Sequence, residues 1–230
     1  AHAGGAPHLG INALNAATMA MTAINYNRET FRDDDSIRVH PIITKGGEAV
    51  SAVPADVRME TFVRGRTLEA LMDANTKVDR ALKAGAMAVG GSVKIQTIPG
   101  YMPLQQHKGM ADIFRANAVN LVGEENIGYV HHRGGSTDMG DLSHLMPVIH
   151  PYVGGATGVG HSATYLIEDY SLAVIKGAKA LAYTIIDILG DGASHGNSIV
   201  GGQRADMTIP EYLKFMRNLA SEETFDGGNA

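Results

Sequence analysis

The histidines are the residues with the clearest capacity for chemistry in this sequence. There are ten of them among 230 residues, and there is no cysteine. Without cysteine there is no thiolate nucleophile and no disulfide, so any transition-metal site must use histidine, aspartate and glutamate. The histidines are scattered, no HExxH motif is present, and no two of them stand at i, i+4 spacing on a predicted helix. Spacing alone therefore identifies no metal site.

Two of the histidines lie in surroundings that favour contact with a ligand. His161 follows a loop with four glycines between residues 154 and 160, where backbone can approach a ligand closely. His2 is flanked by small residues that leave its ring unobstructed. A turn histidine is the alternative for His161, and an exposed terminal histidine is the alternative for His2.

Arg64 and the loop Gly134–Asp138 are candidates for binding an anion. The loop can present backbone N–H groups, and an arginine at the end of an alternating strand can bind a carboxylate through two parallel hydrogen bonds. A structural turn and a surface arginine are the alternatives. Ser136 does not fit a nucleophile elbow, because Asp138 stands where the G-x-S-x-G pattern needs its second glycine.

Periodicity predicts the elements of the first hundred residues. Apolar residues at three- and four-residue steps predict helices, and alternation predicts strands; the helices cover 10–28 and 67–87, and the strands cover 37–44, 56–64 and 92–98. If Ala1–Ala3 ends a further strand, the order is β-α-β-β-α-β. This order predicts a four-stranded antiparallel sheet with two helices on one face, within an α/β fold class.

After residue 103, helices predominate. The patterns predict helices over 105–122, 171–189 and 210–219, short strands over 127–131 and 148–153, a loop over 190–204 and a frayed end over 221–230. These strands are too few for a complete sheet, so we expect this part to need further polypeptide. The predicted domains are residues 1–102 and 103–230.

Composition excludes several classes of protein. A net charge of -5 with no basic patch argues against a nucleic-acid partner. No apolar run approaches the roughly 18–20 residues that cross a bilayer, so we expect no membrane association. A cytoplasmic location is a separate expectation. Hydrophobic residues at 44% and charged residues at 19% are typical of a globular α/β protein.

The motifs, taken in order, resemble those of one family. Ala1–Leu14 (AHAGGAPHLGINAL) is similar to the opening strand and helix of the lid domain in the zinc aminoacylase, carboxypeptidase and amidohydrolase family, metallopeptidase family 20. Arg38–Gly47 and Val53–Thr67 resemble its next two lid strands, and Gly134–Gly154 with the loop to His161 resembles its C-terminal catalytic segment. The subgroup it resembles is that of aminobenzoyl-glutamate hydrolase and related dipeptide-cleaving amidohydrolases.

This resemblance implies a fold and a set of site residues. The fold is an α+β lid followed by the C-terminal portion of an α/β metallopeptidase catalytic domain. His2 matches the lid histidine that reaches the partner subunit's active site and stabilises the oxyanion, and His161 matches the last metal ligand. The residues implied to contact substrate are Arg64, which would bind its terminal carboxylate, Gly134, Gly135 and Ser136, which would line that pocket, and Ser51, which stands where the family usually has an asparagine.

The resemblance also implies an activity with its cofactors and partners. The activity is metal-dependent hydrolysis of an amide bond in a small N-acyl amino acid, a dipeptide or an aminobenzoyl-glutamate-like substrate. Two divalent ions are implied, zinc with manganese or cobalt as alternatives, together with a homodimer formed through the lid. The other ligands and the general-base glutamate belong to an N-terminal half that these residues do not contain, so a separate N-terminal fragment is an expected partner. The alternative is a non-catalytic dimerisation or binding module derived from such an enzyme.

Overall fold

A computed structural model of the chain describes residues 1–130, 134–202 and 205–229. Contacts between Cα atoms divide the chain into two compact units. The first comprises Ala1–Pro103, His132–Ser136 and Leu213–Ala230, and the second comprises Leu104–His131 and Thr137–Tyr212. Each unit is described by itself below. The domain boundary expected at residue 102 stays a prediction.

Two helices form the centre of the first unit. Helix α1 spans Ala13–Tyr26, and Asn12 caps it by accepting hydrogen bonds from the backbone of Leu14 (2.9 Å) and Asn15 (3.1 Å). Helix α2 spans Leu68–Ala88, and Thr67 caps it because its hydroxyl accepts a hydrogen bond from the backbone N–H of Ala70 (3.2 Å). Both helices begin and end within a few residues of the predicted bounds, because caps and apolar periodicity agree at these positions.

Small residues let the two helices approach closely. A side chain added at Gly85 of α2 would lie 2.4 Å from the carbonyl oxygen of Ala16 and 2.9 Å from the Cβ of Ala20, both on α1. The contact continues into an apolar core with the residues Ile24, Ile37, Val39, Ala70, Ala74, Val78 and Ala81. This core holds the strands that carry the candidate site against the helices.

The strands of the first unit pair in twos. Strands β1 (Arg38–Val39) and β4 (Val63–Arg64) are antiparallel neighbours, as are β2 (Ile42–Lys45) and β3 (Arg58–Glu60). Together the two pairs form one hairpin, whose strand pairing is interrupted at His40-Pro41 in the first arm and at Thr61-Phe62 in the second. Proline has no N–H to donate to a ladder, which explains the break in the first arm.

The predicted four-stranded sheet is not present among the described residues. Strand β5 (Ser92–Thr97) pairs with β8 (Ser221–Asp226) instead of joining the hairpin, and residues 1–3 make only the isolated bridge of His2 with Ala52. The prediction of a frayed end over 221–230 is wrong for the described residues, since 221–226 form a strand. Ion pairs from Lys83 to Glu223 (2.6 Å) and from Lys94 to Glu222 (2.8 Å) hold this acidic segment in register.

The second unit is mainly helical. Its helices are α3 (Lys108–Val122), α4 (Met139–Ser143) and α5 (Gly177–Gly202), the last preceded by a π-helical turn at Ser171–Lys176, and α6 (Ile209–Leu219) continues into the first unit. Strands β6 (Ala156–Thr157) and β7 (Leu166–Ile167) form an antiparallel pair. Asn117 of α3 donates a hydrogen bond of 2.7 Å to Asp187 of α5.

Three predicted elements of this unit differ from the structure. Residues 127–130 are not a strand, and His131 lies outside the described residues. Residues 148–153 are not a strand either: the carbonyl of Val148 accepts from the backbone of His107 at the start of α3, so this segment closes a helix end. The loop predicted over 190–204 is largely helical, because non-helical backbone is confined to Gly190–Ala193 and the helix resumes to Gly202.

Candidate functional site

The ring of His2 is held by the loop that follows it. Its Nδ1 accepts hydrogen bonds from the backbone N–H of Gly4 (3.1 Å) and Gly5 (2.9 Å). A ring nitrogen that accepts carries no proton, so the neutral imidazole of His2 has its proton on Nε2. Because His2 is exposed, that N–H is available to donate to a ligand.

Ser51 lies beside His2. The backbone of Ala3 donates to the carbonyl of Ser51 (2.8 Å), and His2 forms a β-bridge with Ala52. The structure therefore brings together two of the residues predicted for the site. The serine is exposed, so its hydroxyl can also contact a ligand near the imidazole.

An exposed ion-pair cluster closes the loop that carries Ser51. The ammonium of Lys45 lies 2.9 Å from a carboxylate oxygen of Asp56 and 3.1 Å from one of Glu48, and Arg58 lies 3.3 Å from Asp56. The hydrogen bond from Lys45 lowers the pKa of the Asp56 carboxyl, and the one to Asp56 raises the pKa of Lys45. This cluster joins the two arms of the hairpin on either side of Ser51.

Arg64 lies at the opposite end of the same hairpin. It is half-buried on β4, its guanidinium carbon lies 5.1 Å from the centre of the Phe62 ring, and its Nη1 donates to the carbonyl of Gly134 at 3.5 Å. A cation over an aromatic face is held in place without losing its charge. The structure thus joins Arg64 to the loop that the family resemblance implies for the same pocket.

The loop at 134–136 contacts the hairpin through Gly134. Gly134 is buried with φ of +75°, and a side chain there would lie 3.0 Å from the Cγ of Arg38. Gly135 and Ser136 are exposed, and a side chain at Gly135 would meet none of the described residues within 4 Å. No described residue therefore fills the space beside Gly135, next to the contact of Gly134 with Arg64.

His161 lies in the second unit, on the loop between β6 and β7. It is exposed and has φ of +65°, a left-handed conformation that costs free energy for any residue except glycine. The loop is ordered by its own hydrogen bonds: the hydroxyls of Ser162 and Thr164 are 2.6 Å apart, and the backbone of Ser162 donates to Val159 (3.0 Å). Such strain in an ordered loop is common at functional sites.

The described residues do not by themselves make up a metal centre. No group of three or more histidine, aspartate or glutamate side chains converges among residues 1–130, 134–202 and 205–229. A zinc site needs at least three protein ligands, and His161 offers one nitrogen. His161 can therefore be no more than one member of a ligand set.

Residues 1–89 match the family model of the peptidase dimerisation domain of the M20 peptidases. The match contains His2, Ser51 and Arg64, together with the helix pair and the hairpin that position them. Residues 1–89 are thus similar to the dimerisation domain of the M20 peptidases. The resemblance first seen in the motifs from Ala1 to Thr67 is thereby confirmed.

Two curated relatives extend the similarity beyond the dimerisation domain. The Xaa-Arg dipeptidase of Mus musculus is 28% identical over 198 residues, and that of Homo sapiens is 26% identical over 198 residues. Each alignment covers 82% of this chain, but only 45% of the mouse protein and 44% of the human protein. The chain thus spans about half the length of the curated relatives that it matches.

Among the described residues, no helix is both long enough and apolar enough to cross a membrane.

Three contributors to the site were not found from the sequence. Gly4 and Gly5 donate the hydrogen bonds that set the proton position of His2, and Arg38 lies beside both Gly134 and Arg64. The signal for Arg38 was present, since pairing the predicted strands 37–44 and 56–64 as a hairpin would have placed it near Arg64. No sequence pattern indicated the two glycine N–H groups, because they act through loop conformation.

Proposed function

We propose that this chain is part of a metal-dependent amidohydrolase that cleaves an amide bond in a small N-acyl amino acid, a dipeptide or an aminobenzoyl-glutamate-like substrate. The observation that carries the proposal is the similarity to two Xaa-Arg dipeptidases across 82% of the chain, which includes the dimerisation domain. The geometry around His2 and Arg64 supports a role for each residue.

His2 stabilises the oxyanion in this proposal. Attack on an amide carbonyl places negative charge on its oxygen, and a donor positioned for that charge lowers the barrier. The N–H groups of Gly4 and Gly5 keep the ring proton on Nε2, so the imidazole can donate without first being protonated. Ser51, beside it, supplies a second polar contact to the substrate.

Arg64 binds the terminal carboxylate of the substrate. Its guanidinium is always charged, and a planar fork of N–H donors matches a carboxylate. The contacts with Phe62 and the Gly134 carbonyl keep the side chain in one orientation, while Gly135 and Ser136 leave room beside it. The substrate is thus held at its leaving amino acid.

His161 is proposed as one ligand of a divalent-metal site, zinc or alternatively manganese or cobalt, whose other ligands lie outside this chain. Its exposure on an ordered, strained loop supports the assignment. We expect His161→Ala to lower the zinc content of the assembled enzyme, measured by elemental analysis after dialysis. His195→Ala, which removes another exposed histidine of the same unit, is the control. Full retention of zinc in His161→Ala would refute the ligand assignment.

The test of the function is hydrolysis by the assembled enzyme, this chain together with the polypeptide that supplies the remaining ligands, in the presence of zinc, manganese or cobalt. The panel comprises N-acetyl amino acids, dipeptides and aminobenzoyl-glutamate, and sedimentation reports the dimer. The dimerisation-domain match also favours a second candidate, a non-catalytic dimerisation module. Turnover of any member of the panel supports the enzyme. Stable dimers that turn over none of these substrates with any of the three metals would support the module.

A further inference from the structure

Strand β8 is held on the first unit mainly by its backbone. It pairs with β5 along its whole length, in an antiparallel ladder. Of the described residues of β8, only Phe225 is partly buried, and it faces Val93 of β5. A pair of strands with so little apolar contact is only marginally stable by itself. Strand β8 can therefore leave β5 without disrupting the core of the helix pair.

Two ion pairs make β5 specific for an acidic strand. Lys83 of α2 lies 2.6 Å from Glu223, and Lys94 of β5 lies 2.8 Å from Glu222. All four side chains are at least 30% exposed, so each pair stabilises the ladder only modestly. The two pairs thus determine which strand binds to β5, and in which register, more than they oppose its release.

The segments on either side of β8 would also allow it to move. Helix α6 precedes it, and among the described residues none in α6 is buried. The chain passes from the second unit to the first within this helix. After β8, the backbone of Gly227 donates to the carbonyl of Gly91 at 2.8 Å. The described contacts of the segment are thus made with α2, β5 and the turn between them, and a β8 strand from a second copy would make the same contacts.

The similarity of residues 1–89 to a dimerisation domain brings a second copy close to β5, which follows directly in the chain. Two copies held in a dimer offer each β8 strand two equivalent β5 strands. A segment tethered within such an assembly has a roughly millimolar effective concentration at a site that it can reach. Because an exchanged strand makes the same contacts as a retained one, neither arrangement is strongly preferred.

We propose that Ser221–Asp226 is an exchangeable strand, which pairs with β5 of its own copy or with β5 of the second copy in a dimer. The surface formed by β5 and Lys83 is then a binding site for an extended acidic segment of a second copy of this chain. In the exchanged arrangement, the ladder and both ion pairs join two chains. The proposal goes beyond the hydrolytic function and uses only the homodimer that the similarity of residues 1–89 supports.

Engineered cysteines test the exchange in the full chain, which has no cysteine of its own. Thr97 and Ser221 face each other at one end of the ladder. The Cα atoms of directly opposed residues in antiparallel strands lie about 4.5–5.5 Å apart, a distance that a disulfide can span. A Thr97→Cys chain and a Ser221→Cys chain with a longer tag are produced together, oxidised and separated by size under denaturing, non-reducing conditions. Disulfide-linked heterodimers are expected to form on the order of a tenth of the protein or more.

The matched control replaces Ser221→Cys by Thr224→Cys. Thr224 is also exposed and lies on the same strand, but it faces Lys94, so a cysteine there cannot reach position 97 in this register. The control mixture should give severalfold less heterodimer. This difference separates pairing in register from random collisions between exposed thiols.

Charge reversal shows whether the ion pairs direct the exchange. Lys83→Glu with Lys94→Glu in the Thr97→Cys chain repels the acidic strand of either copy, so the yield of heterodimer should fall severalfold. Adding Glu222→Lys and Glu223→Lys to the Ser221→Cys chain should then raise the yield above that of the original mixture. In this last mixture each β8 strand is repelled by its own β5 and attracted by that of the other chain.

The proposal is overturned if the original mixture yields no more heterodimer than the control mixture, or if charge reversal leaves the yield unchanged. Sedimentation of wild type measures dimerisation separately, and hydrolysis is not part of the readout. Dimers that form without this disulfide would therefore contradict strand exchange and leave the proposed activity unaffected.

Discussion

Helix pair α1–α2 and helix α5 contain similar apolar residues, but they differ in what covers them. On α1, Ile24 is 1% exposed, and the small residues of α2 fit against it and its neighbours. On α5, Ala180 and Thr184 are buried, whereas large residues remain largely exposed, namely Leu181, Ile185, Ile186 and Leu189. The first unit thus contains its own core, and the described residues of the second unit bury little apolar surface.

The difference shows that apolar content does not determine burial in this chain. Helix α2 has polar residues on one side and small apolar residues on the other, so its sequence indicates which face is buried. Helix α5 is apolar on several faces up to Leu189, with few charges among them. Among the described residues, Asp187 of α5 binds Asn117 of α3, while the large apolar residues of α5 stay largely exposed.

The same substitution at matched positions should give the largest difference between the two regions. Ile24→Ala removes a fully buried side chain and is expected to lower the free energy of unfolding by about 2–5 kcal/mol. Ile185→Ala, at 57% exposure, is expected to cost less than about 1 kcal/mol. Denaturant unfolding of wild type and the two variants measures both losses of unfolding free energy. A cost at Ile185 equal to that at Ile24 would mean that the α5 face is covered in solution.

The close approach of α1 and α2 predicts a smaller but specific loss. In Gly85→Ala, the new methyl group would overlap the Ala16 carbonyl and Ala20, so the helices must separate. The expected cost is about 1–3 kcal/mol of unfolding free energy, although alanine is the better helix former.

Gly100→Ala is the control for this substitution, because a side chain there meets nothing within 4 Å. Thermal unfolding should separate the two variants, with a clear drop in Tm only for Gly85→Ala. Equal Tm values would contradict the packing described for the helix pair.

The smallest expected effect is a pH dependence on α2. Burial raises the pKa of the Asp79 carboxyl above its ordinary 3.8, and Glu223 adds to the shift while Lys83 opposes it. The folded state therefore holds this proton more tightly than the unfolded state, so the contribution to stability falls as pH rises from about 4 through the folded pKa. Asp79→Asn has no carboxyl at this position, so it should not show this fall in stability with rising pH.

Unfolding of wild type and Asp79→Asn at a series of pH values measures the effect. The variant should gain stability relative to wild type as pH rises above 4, and the gain should level off at higher pH. A constant difference across the series would show that the carboxyl titrates alike in both states.

The sequence predicted the helices well because their signals are local. Asn12 and Thr67 cap α1 and α2, and apolar spacing defines their length. The strands of the interrupted hairpin could also be predicted, since apolar and polar residues alternate along them. The pairing of β5 with β8 could not be predicted, because Ser221–Asp226 is acidic and shows no apolar alternation. In the structure, the contact of Phe225 with Val93 on the facing strand and two ion pairs stabilise this pairing.

The roles of the candidate-site residues stay predictions, although the structure shows where these residues lie. His2, Ser51, Arg64 and the 134–136 loop follow from motif order, and the structure brings His2 to Ser51 and Arg64 to Gly134. The tautomer of His2 depends on the conformation of two glycines, which no residue pattern encodes. The position of Arg38 depends on strand register, and register is set by the pairing of distant segments.

The kcat of His2→Ala in amide hydrolysis tests the central claim most directly. In the proposed function, His2 donates to the developing oxyanion, so its loss is expected to lower the kcat of the assembled enzyme by on the order of a hundredfold, with zinc content and dimerisation unchanged. His8→Ala, which removes another exposed histidine of the same segment, should leave kcat unaltered. Unchanged turnover in His2→Ala would contradict the account.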